Sequence, residues 1–162
     1  MHAEAYAWFT RQAVGLGAFN LVVDVGGRDI NGTVRALFTA KEYIAVDLYD
    51  GPAVDVVADI RDWHPPKAAD LVLCAEVLEH APDPAGVVNA CHRLLHDGGM
   101  LILSCAAPPR LPHSGIDGSS VRADEHYGNI KPDDLQTWLD TWTESEIVYN
   151  EPVGDLYARA VK

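Results

Sequence analysis

The sequence lacks three features that would each narrow its chemistry at once: paired cysteines, a long apolar run and a block of basic residues. Its three cysteines, Cys74, Cys91 and Cys105, show no C-x-x-C spacing and sit in apolar or helical surroundings, which excludes a disulfide scaffold and structural zinc. They read as reduced core thiols, and no metal centre is expected. No stretch is long and apolar enough to span a bilayer, and Met1 to Phe9 has neither a basic leader nor an apolar run followed by small residues. The expectation is a cytoplasmic protein with no membrane partner. Basic residues are scarce, 12 Lys and Arg against 24 Asp and Glu, for a formal net charge of −12 that disfavours a nucleic-acid partner. Arg110, Arg122 and Lys131 fall in one late segment; they read either as a local basic rim or as three solvated charges.

What is present is an ordinary globular balance, 48% hydrophobic and 22% charged residues over 162 positions, without repeats or low-complexity tracts. Such a chain can bury roughly two-thirds of its unfolded surface, so the expectation is one domain over residues 1–162. Ala3 to Leu16 carries aromatic and aliphatic residues at helical spacing and ends at Gly15 and Gly17. Apolar runs then recur at Leu21–Val25, Tyr43–Val46, Val54–Ala58, Leu71–Ala75 and Met100–Cys105, without the alternation of a half-exposed sheet. Runs of that kind suit strands covered on both faces. Thr33 to Thr39 reads as a short helix. A second runs from Pro84 to Leu95 with Asp83 as its N-cap, and a third starts at Pro132 and carries Leu135, Trp138 and Leu139, with Trp142 four residues past Trp138 on the same helix as core or rim. Glu146–Tyr149 and Leu156–Val161 flank Pro152-Val153-Gly154 as a closing hairpin. The predicted fold is an α/β three-layer sandwich around a mostly parallel seven-stranded sheet with an antiparallel C-terminal hairpin.

Ligands of such sheets bind beyond the carboxyl ends of the strands, so the residues just after each run carry the functional information. Gly26 and Gly27 permit a sharp turn after the first run, and glycine there lets backbone approach a ligand. Asp47 ends the second run about 20 residues later, where a carboxylate can accept hydrogen bonds from a ribose diol. Three nucleotide-type readings compete. A phosphate loop over Gly27–Thr33 has Thr33 where the charge-clamping lysine belongs, which argues against an NTPase. A dinucleotide fingerprint is broken by Arg28 and Asp29, leaving a nicotinamide-dependent oxidoreductase as a weaker alternative. A ligand with a sulfonium cation and no phosphate suits a site lined by Asp24, Asp29, Asp47, Asp59 and Glu76.

From Asn20 to Cys105 the chain resembles the class I, Rossmann-like S-adenosylmethionine-dependent methyltransferases. Leu21-Val22-Val23-Asp24-Val25-Gly26-Gly27 is similar to the first motif of that family, Ala45-Val46-Asp47 to the second and Val57-Ala58-Asp59-Ile60 to the third. The run Asp70 to His80, followed by Leu94-Leu95-His96-Asp97-Gly98-Gly99, is similar to the motifs of its fourth and fifth strands, and Glu76-Val77-Leu78-Glu79-His80 is the most specific piece. The resemblance implies S-adenosylmethionine as cofactor, S-adenosylhomocysteine as product and a methyltransferase activity. It further implies that Asp24, Gly26, Gly27, Arg28 and Asp29 shape the methionine end, that Asp47 holds the ribose and that Leu48 flanks adenine. By the same resemblance Asp59 and Ile60 meet the adenine ring, while Cys74, Ala75 and Glu76 line the cofactor near sulfur. The first loop departs from the family pattern by placing Arg28 and Ile30 where glycine is usual, and Arg28 is a candidate partner of the cofactor carboxylate.

Methyl transfer is an in-line displacement that needs alignment and desolvation, and a base only when the acceptor is protonated. Candidate bases are His80, His113 and His126, with Asp117 beside them; each also has a bland reading as a packing or solvated residue. Residues 106–131 form a Pro-, Gly-, Ser- and His-rich loop of the length usually given to function. A small-molecule acceptor is expected beneath it, with a homodimer possible. The rival from a different class is a catalytically reduced, methyltransferase-like binding module.

Overall fold

Leu21, Val22, Val23 and Val25 are all buried because the strand that holds them, β1 (Phe19–Val25), lies inside a sheet covered on both faces. The computed structural model describes every residue from Met1 to Lys162. The other strands are β2 (Ala40–Asp47), β3 (Val56–Val57), β4 (Ala69–Ala75), β5 (Leu95–Ala106), β6 (Glu144–Asn150) and β7 (Asp155–Val161). They are ordered β3-β2-β1-β4-β5-β7-β6, and only β7 runs against its neighbours. The predicted mostly parallel seven-stranded sheet with an antiparallel hairpin is therefore the observed one. The chain leaves β1 for β2 on one side and later returns to β4 on the other, which opens a crevice at the carboxyl ends of β1 and β4.

Two cores of unequal size flank the sheet. On one face helix α1 (Ala3–Ala13) sets Ala5, Trp8 and Phe9 against Val22, Leu71, Leu73 and Ile102, and the Trp8 ring stacks on Tyr157 at 5.2 Å. On the other, α2 (Pro84–Leu94) and α3 (Pro132–Leu139) bury Val88, Cys91, Leu94, Leu135 and Leu139. A fully buried Leu stabilises by roughly 1.5–3 kcal/mol, so these few side chains hold each helix to the sheet. Asp83 accepts the Gly86 amide at 2.9 Å and Pro84 opens α2, the expected cap chemistry.

Three expectations need correction. The helix predicted over Thr33–Thr39 is only a 3-10 turn, Arg35–Leu37; Val34 and Phe38 turn into the core beside α1 instead, so that layer is thin. The strand predicted over Val54–Ala58 shrinks to two residues; before it, the exposed Asp55 side chain accepts the Ala45 amide at 2.9 Å and pairs with Arg35 at 3.0 Å. Helix α3 stops at Leu139, so Trp142 lies beyond it and packs edge-on against His92.

The long loop is anchored at its root by the hairpin. Gly154, at φ +78°, accepts the Ala107 amide at its carbonyl, and a Cβ there would lie 2.6 Å from the Arg110 nitrogen. Only glycine lets β7 approach the loop that closely. No helix is long and apolar enough to cross a membrane.

Candidate active site

A cavity of 960 Å³ opens at the carboxyl ends of β1, β2 and β4, roofed by residues 109–116, 118–120 and 124–126. That is the upper end of the size usual for small-molecule sites. Asp24, Gly26, Gly27, Arg28, Asp47, Leu48, Asp59, Ile60, Ala75 and Glu76 all line it, as do His80, His113 and His126. Sequence positions spread over more than 100 residues thus face one hollow.

Two expected lining residues do not reach it. Cys74 has zero exposure and packs in the α2-side core, because alternation along β4 points it away from the wall that Ala75 joins. Asp29 accepts the Gly32 amide at 2.7 Å, capping its own turn, and lines a separate, smaller hollow with Asp50 and Asp117. Trp63 seals a loop by accepting Arg93 at its carbonyl and lies off the cavity.

The turn after β1 is built from packing. A Cβ on Gly26, at φ +68°, would meet the Val77 Cγ2 at 2.4 Å, and one on Gly27 would meet the Ala45 Cβ at 2.7 Å. The glycines thus let β1, β2 and β4 close on one another, a different reason from the ligand approach expected of them. Arg28 N donates to Asp47 Oδ2 at 3.3 Å and Tyr49 N to Oδ1 at 2.9 Å, which fixes the Asp47 carboxylate at the rim of the turn. The Arg28 guanidinium reaches away, donating to the carbonyls of Gly115 and Ile116 at 3.2 and 3.3 Å and lying 5.3 Å from the Tyr49 ring centre.

The carboxylates differ sharply in state. Asp24 is 3% exposed, and burial pushes it up to about 7 although the Tyr43 hydroxyl donates to it at 2.7 Å. Asp59 is forked by Arg61, Nη2 to Oδ2 at 2.6 Å, which holds it below the usual range. Glu76 sits in the left-handed region at φ +58°, strained for a residue with a side chain. Ser104 Oγ donates to it at 2.8 Å, Arg110 pairs with it at 3.3 Å and His2 lies 3.5 Å away; with these partners it stays below the carboxylate norm despite burial. Arg110 also pairs with buried Asp155, and Arg122 with Asp117, so neither contributes to a basic rim.

His80 packs edge-on against His113 at 5.0 Å and Tyr127 at 5.5 Å, and burial lowers it to about 4. His113 joins that cluster; His126 stays exposed at the cavity edge. Beneath them lies Glu79, which sequence reasoning passed over. It has no exposure, and burial pushes it up to about 8; the amides of Glu79 and Ala106 offset part of that rise without making a well-formed hydrogen bond. The signal was its adjacency to His80 in Glu76-Val77-Leu78-Glu79-His80. Arg110 and Tyr49 were also missed as lining residues, since their roles depend on partners distant in sequence.

Comparison with known proteins agrees with this geometry. The family described as "Methyltransferase domain" matches residues 14–103. A ubiquinone biosynthesis O-methyltransferase of Xanthomonas oryzae pv. oryzae is 35% identical over 143 residues, covering 79% of this chain and 59% of that protein. The chain thus spans about three-fifths of that relative's length. A 1,6-didemethyltoxoflavin-N1-methyltransferase of Burkholderia thailandensis, solved with 1,6-didemethyltoxoflavin and S-adenosylhomocysteine, superposes with a TM-score of 0.66 at 20% identity, covering 98% of this chain and 76% of that one. The N-methyltransferase NodS of Bradyrhizobium japonicum, bound to S-adenosylhomocysteine, gives 0.67 at 16% identity over 98% and 86% of the two chains. These two likenesses establish the fold, the match over residues 14–103 takes in more than half the chain, and the protein belongs to the methyltransferase domain family.

Proposed function

We propose that this chain binds S-adenosylmethionine at the carboxyl ends of β1, β2 and β4 and transfers its methyl group to a small-molecule acceptor entering beneath residues 106–131. The observation that carries the reading is the meeting of Asp47 and the Gly26-Gly27 turn on one wall of a single cavity whose roof is the long loop. S-adenosylhomocysteine bound to relatives of the same fold supports it.

The residues present suit that cofactor. Asp47 is steadied by two backbone amides and keeps lone pairs for a ribose diol. Leu48 and Ile60 supply apolar contact on either side of an adenine, and Asp59 shares its carboxylate between Arg61 and the adenine amino group. Asp24, Gly26 and Gly27 shape the methionine end, while Ala75 and Glu76 flank the sulfur. Asp29 and Cys74 are left out of this set. Bound there, the cofactor supplies a methyl group on a cationic sulfur. The chain's part is alignment and exclusion of water, for which the roof over the cavity is suited. His80 and His113 stand on the acceptor side, within reach of an acceptor proton.

Isothermal titration with S-adenosylhomocysteine tests the site. Wild type should bind saturably, and Asp47→Ala should lose about 1–3 kcal/mol of affinity with the fold intact, the usual cost of unpaired buried polar groups. No binding to wild type removes the reading, and an unchanged Asp47→Ala affinity removes the ribose assignment. Binding of S-adenosylmethionine without transfer to any small-molecule acceptor favours a binding module.

A further inference from the structure

Glu79 poses a problem that the methyl-transfer reading leaves unsolved. Its carboxyl group is wholly buried, neither oxygen has a hydrogen-bond partner and no Lys, Arg or His forms an ion pair with it. The nearest guanidinium, on Arg110, is engaged by Glu76 and Asp155. Beside Glu79, the Nδ1 of His80 is also buried without a partner. Buried polar groups are almost always satisfied, so two orphans in adjacent residues ask for a shared partner. A third donor, His113, completes the group: one ligand atom from each of Glu79, His80 and His113 lies within 4.8 Å of the others.

We propose that Glu79, His80 and His113 form a binding site for a divalent transition-metal ion at the acceptor side of the cavity. Two imidazoles and one carboxylate are the donor set that favours zinc, cobalt, manganese or iron over magnesium and calcium, which prefer all-oxygen shells. Bonds of about 2.1 Å place tetrahedral ligands roughly 3.5 Å apart, so small rotations of the two rings close the observed span. His113 is free to make that movement, because it is held only by a ring nitrogen to the Leu111 carbonyl at 3.3 Å and by ring packing. The Tyr127 ring packs on both imidazoles, at 5.5 Å from His80 and 5.0 Å from His113, and its hydroxyl is turned to Asn129. It therefore orients the rings without competing as a ligand.

Three protein ligands leave coordination positions over, and His80 and His113 line the cavity while Glu79 lies behind them. The open positions thus turn toward the space assigned to the acceptor, where an acceptor oxygen or water would complete the shell. The expectation of no metal centre rested on the cysteines alone; this site uses an acid and two imidazoles instead. Its existence does not depend on the cofactor being S-adenosylmethionine.

Titration of the metal-free protein with Co2+, followed by its visible absorption and by calorimetry with Zn2+, tests the proposal. Wild type should bind one ion per chain. Glu79→Gln and His113→Ala should each weaken binding by more than about 100-fold, beyond the roughly 10–100-fold usual for loss of a supporting residue around a metal. His96→Ala, at the opposite end of the sheet, should leave it unchanged. His113→Ala sits on the surface loop, so it keeps the test open if Glu79→Gln fails to fold. No saturable binding to wild type, or binding that both variants retain, overturns the site.

Discussion

The two halves of the cavity are made by different means. The wall formed by β1, β2 and β4 is assembled from buried strands in continuous register, with Val22 to Val25 paired on one side to Tyr43–Val46 and on the other to Leu71–Cys74. Its functional groups project from the ends of those strands, where backbone geometry places them. The roof over residues 106–131 has no helix or strand between Ala106 and Pro132. It is held by side chains: Ser114 Oγ to Glu125 at 2.7 Å, Arg110 to Glu76 and Asp155, and Arg28 to Gly115 and Ile116. A wall built by packing tolerates burial of awkward groups, whereas a roof built by polar contacts opens when one of them is lost.

The largest expected effect lies in the wall. Asp24 is raised to about 7 chiefly by burial; Tyr43 and Arg35 oppose the rise and Asp47 and Asp55 add to it. Between about pH 4 and 7 the folded state therefore holds a proton that the unfolded state has released, so stability from this group falls as pH rises through that window and stays low above it. Asp24→Asn keeps an acceptor for the Tyr43 hydroxyl and removes the charge. The variant should be more stable than wild type at pH 8 by up to about 4 kcal/mol, with the advantage vanishing by pH 4. Denaturant melts across pH measure it, and parallel curves for the two proteins would show that water from the cavity solvates Asp24.

Gly26 tests the same wall through packing. Gly26→Ala forces a side chain into the left-handed region and against the stiff Val77, and should cost about 3 kcal/mol from strain and overpacking combined. Adding Val77→Ala should return the overpacking part alone. A double variant no better than the single one would place the whole penalty in the backbone.

The contrast between wall and roof also decides what the sequence could reveal. Strand interiors such as Leu71–Cys74 announce themselves as apolar runs, and the positions after them follow at once, which is why Asp47, Asp59 and Glu76 were legible. Period-two alternation could have excluded Cys74 from the wall, but a strand covered on both faces shows no polar partner to set its phase. The short turn at Arg35–Leu37 was misread as a helix because Val34 and Phe38 have helical spacing yet are buried as a loop beside α1. Nothing local marks Arg28 as a clasp on Gly115, 87 residues away, or Arg110 as the partner of Asp155, 45 residues on. Glu79 was hidden differently: its neighbours in the motif drew the attention, and a buried acid without a partner is visible only in three dimensions.

Arg28 is where wall and roof meet, and its loss should separate them. The guanidinium makes charge-assisted hydrogen bonds to two carbonyls of the roof, while its Nε is buried without a partner, so the side chain already sits at some cost. Arg28→Ala removes those bonds and that cost together, and should loosen the roof by about 2 kcal/mol, in the range for hydrogen bonds to charged groups. Because β1 to β5 do not depend on the clasp, global melting should shift little. Amide exchange across residues 113–120 should accelerate instead, since local opening draws on the weakest contacts first. If exchange there is unchanged while the whole protein melts earlier, the clasp belongs to the wall, and the roof is held by the Ser114–Glu125 and Arg110–Asp155 contacts alone.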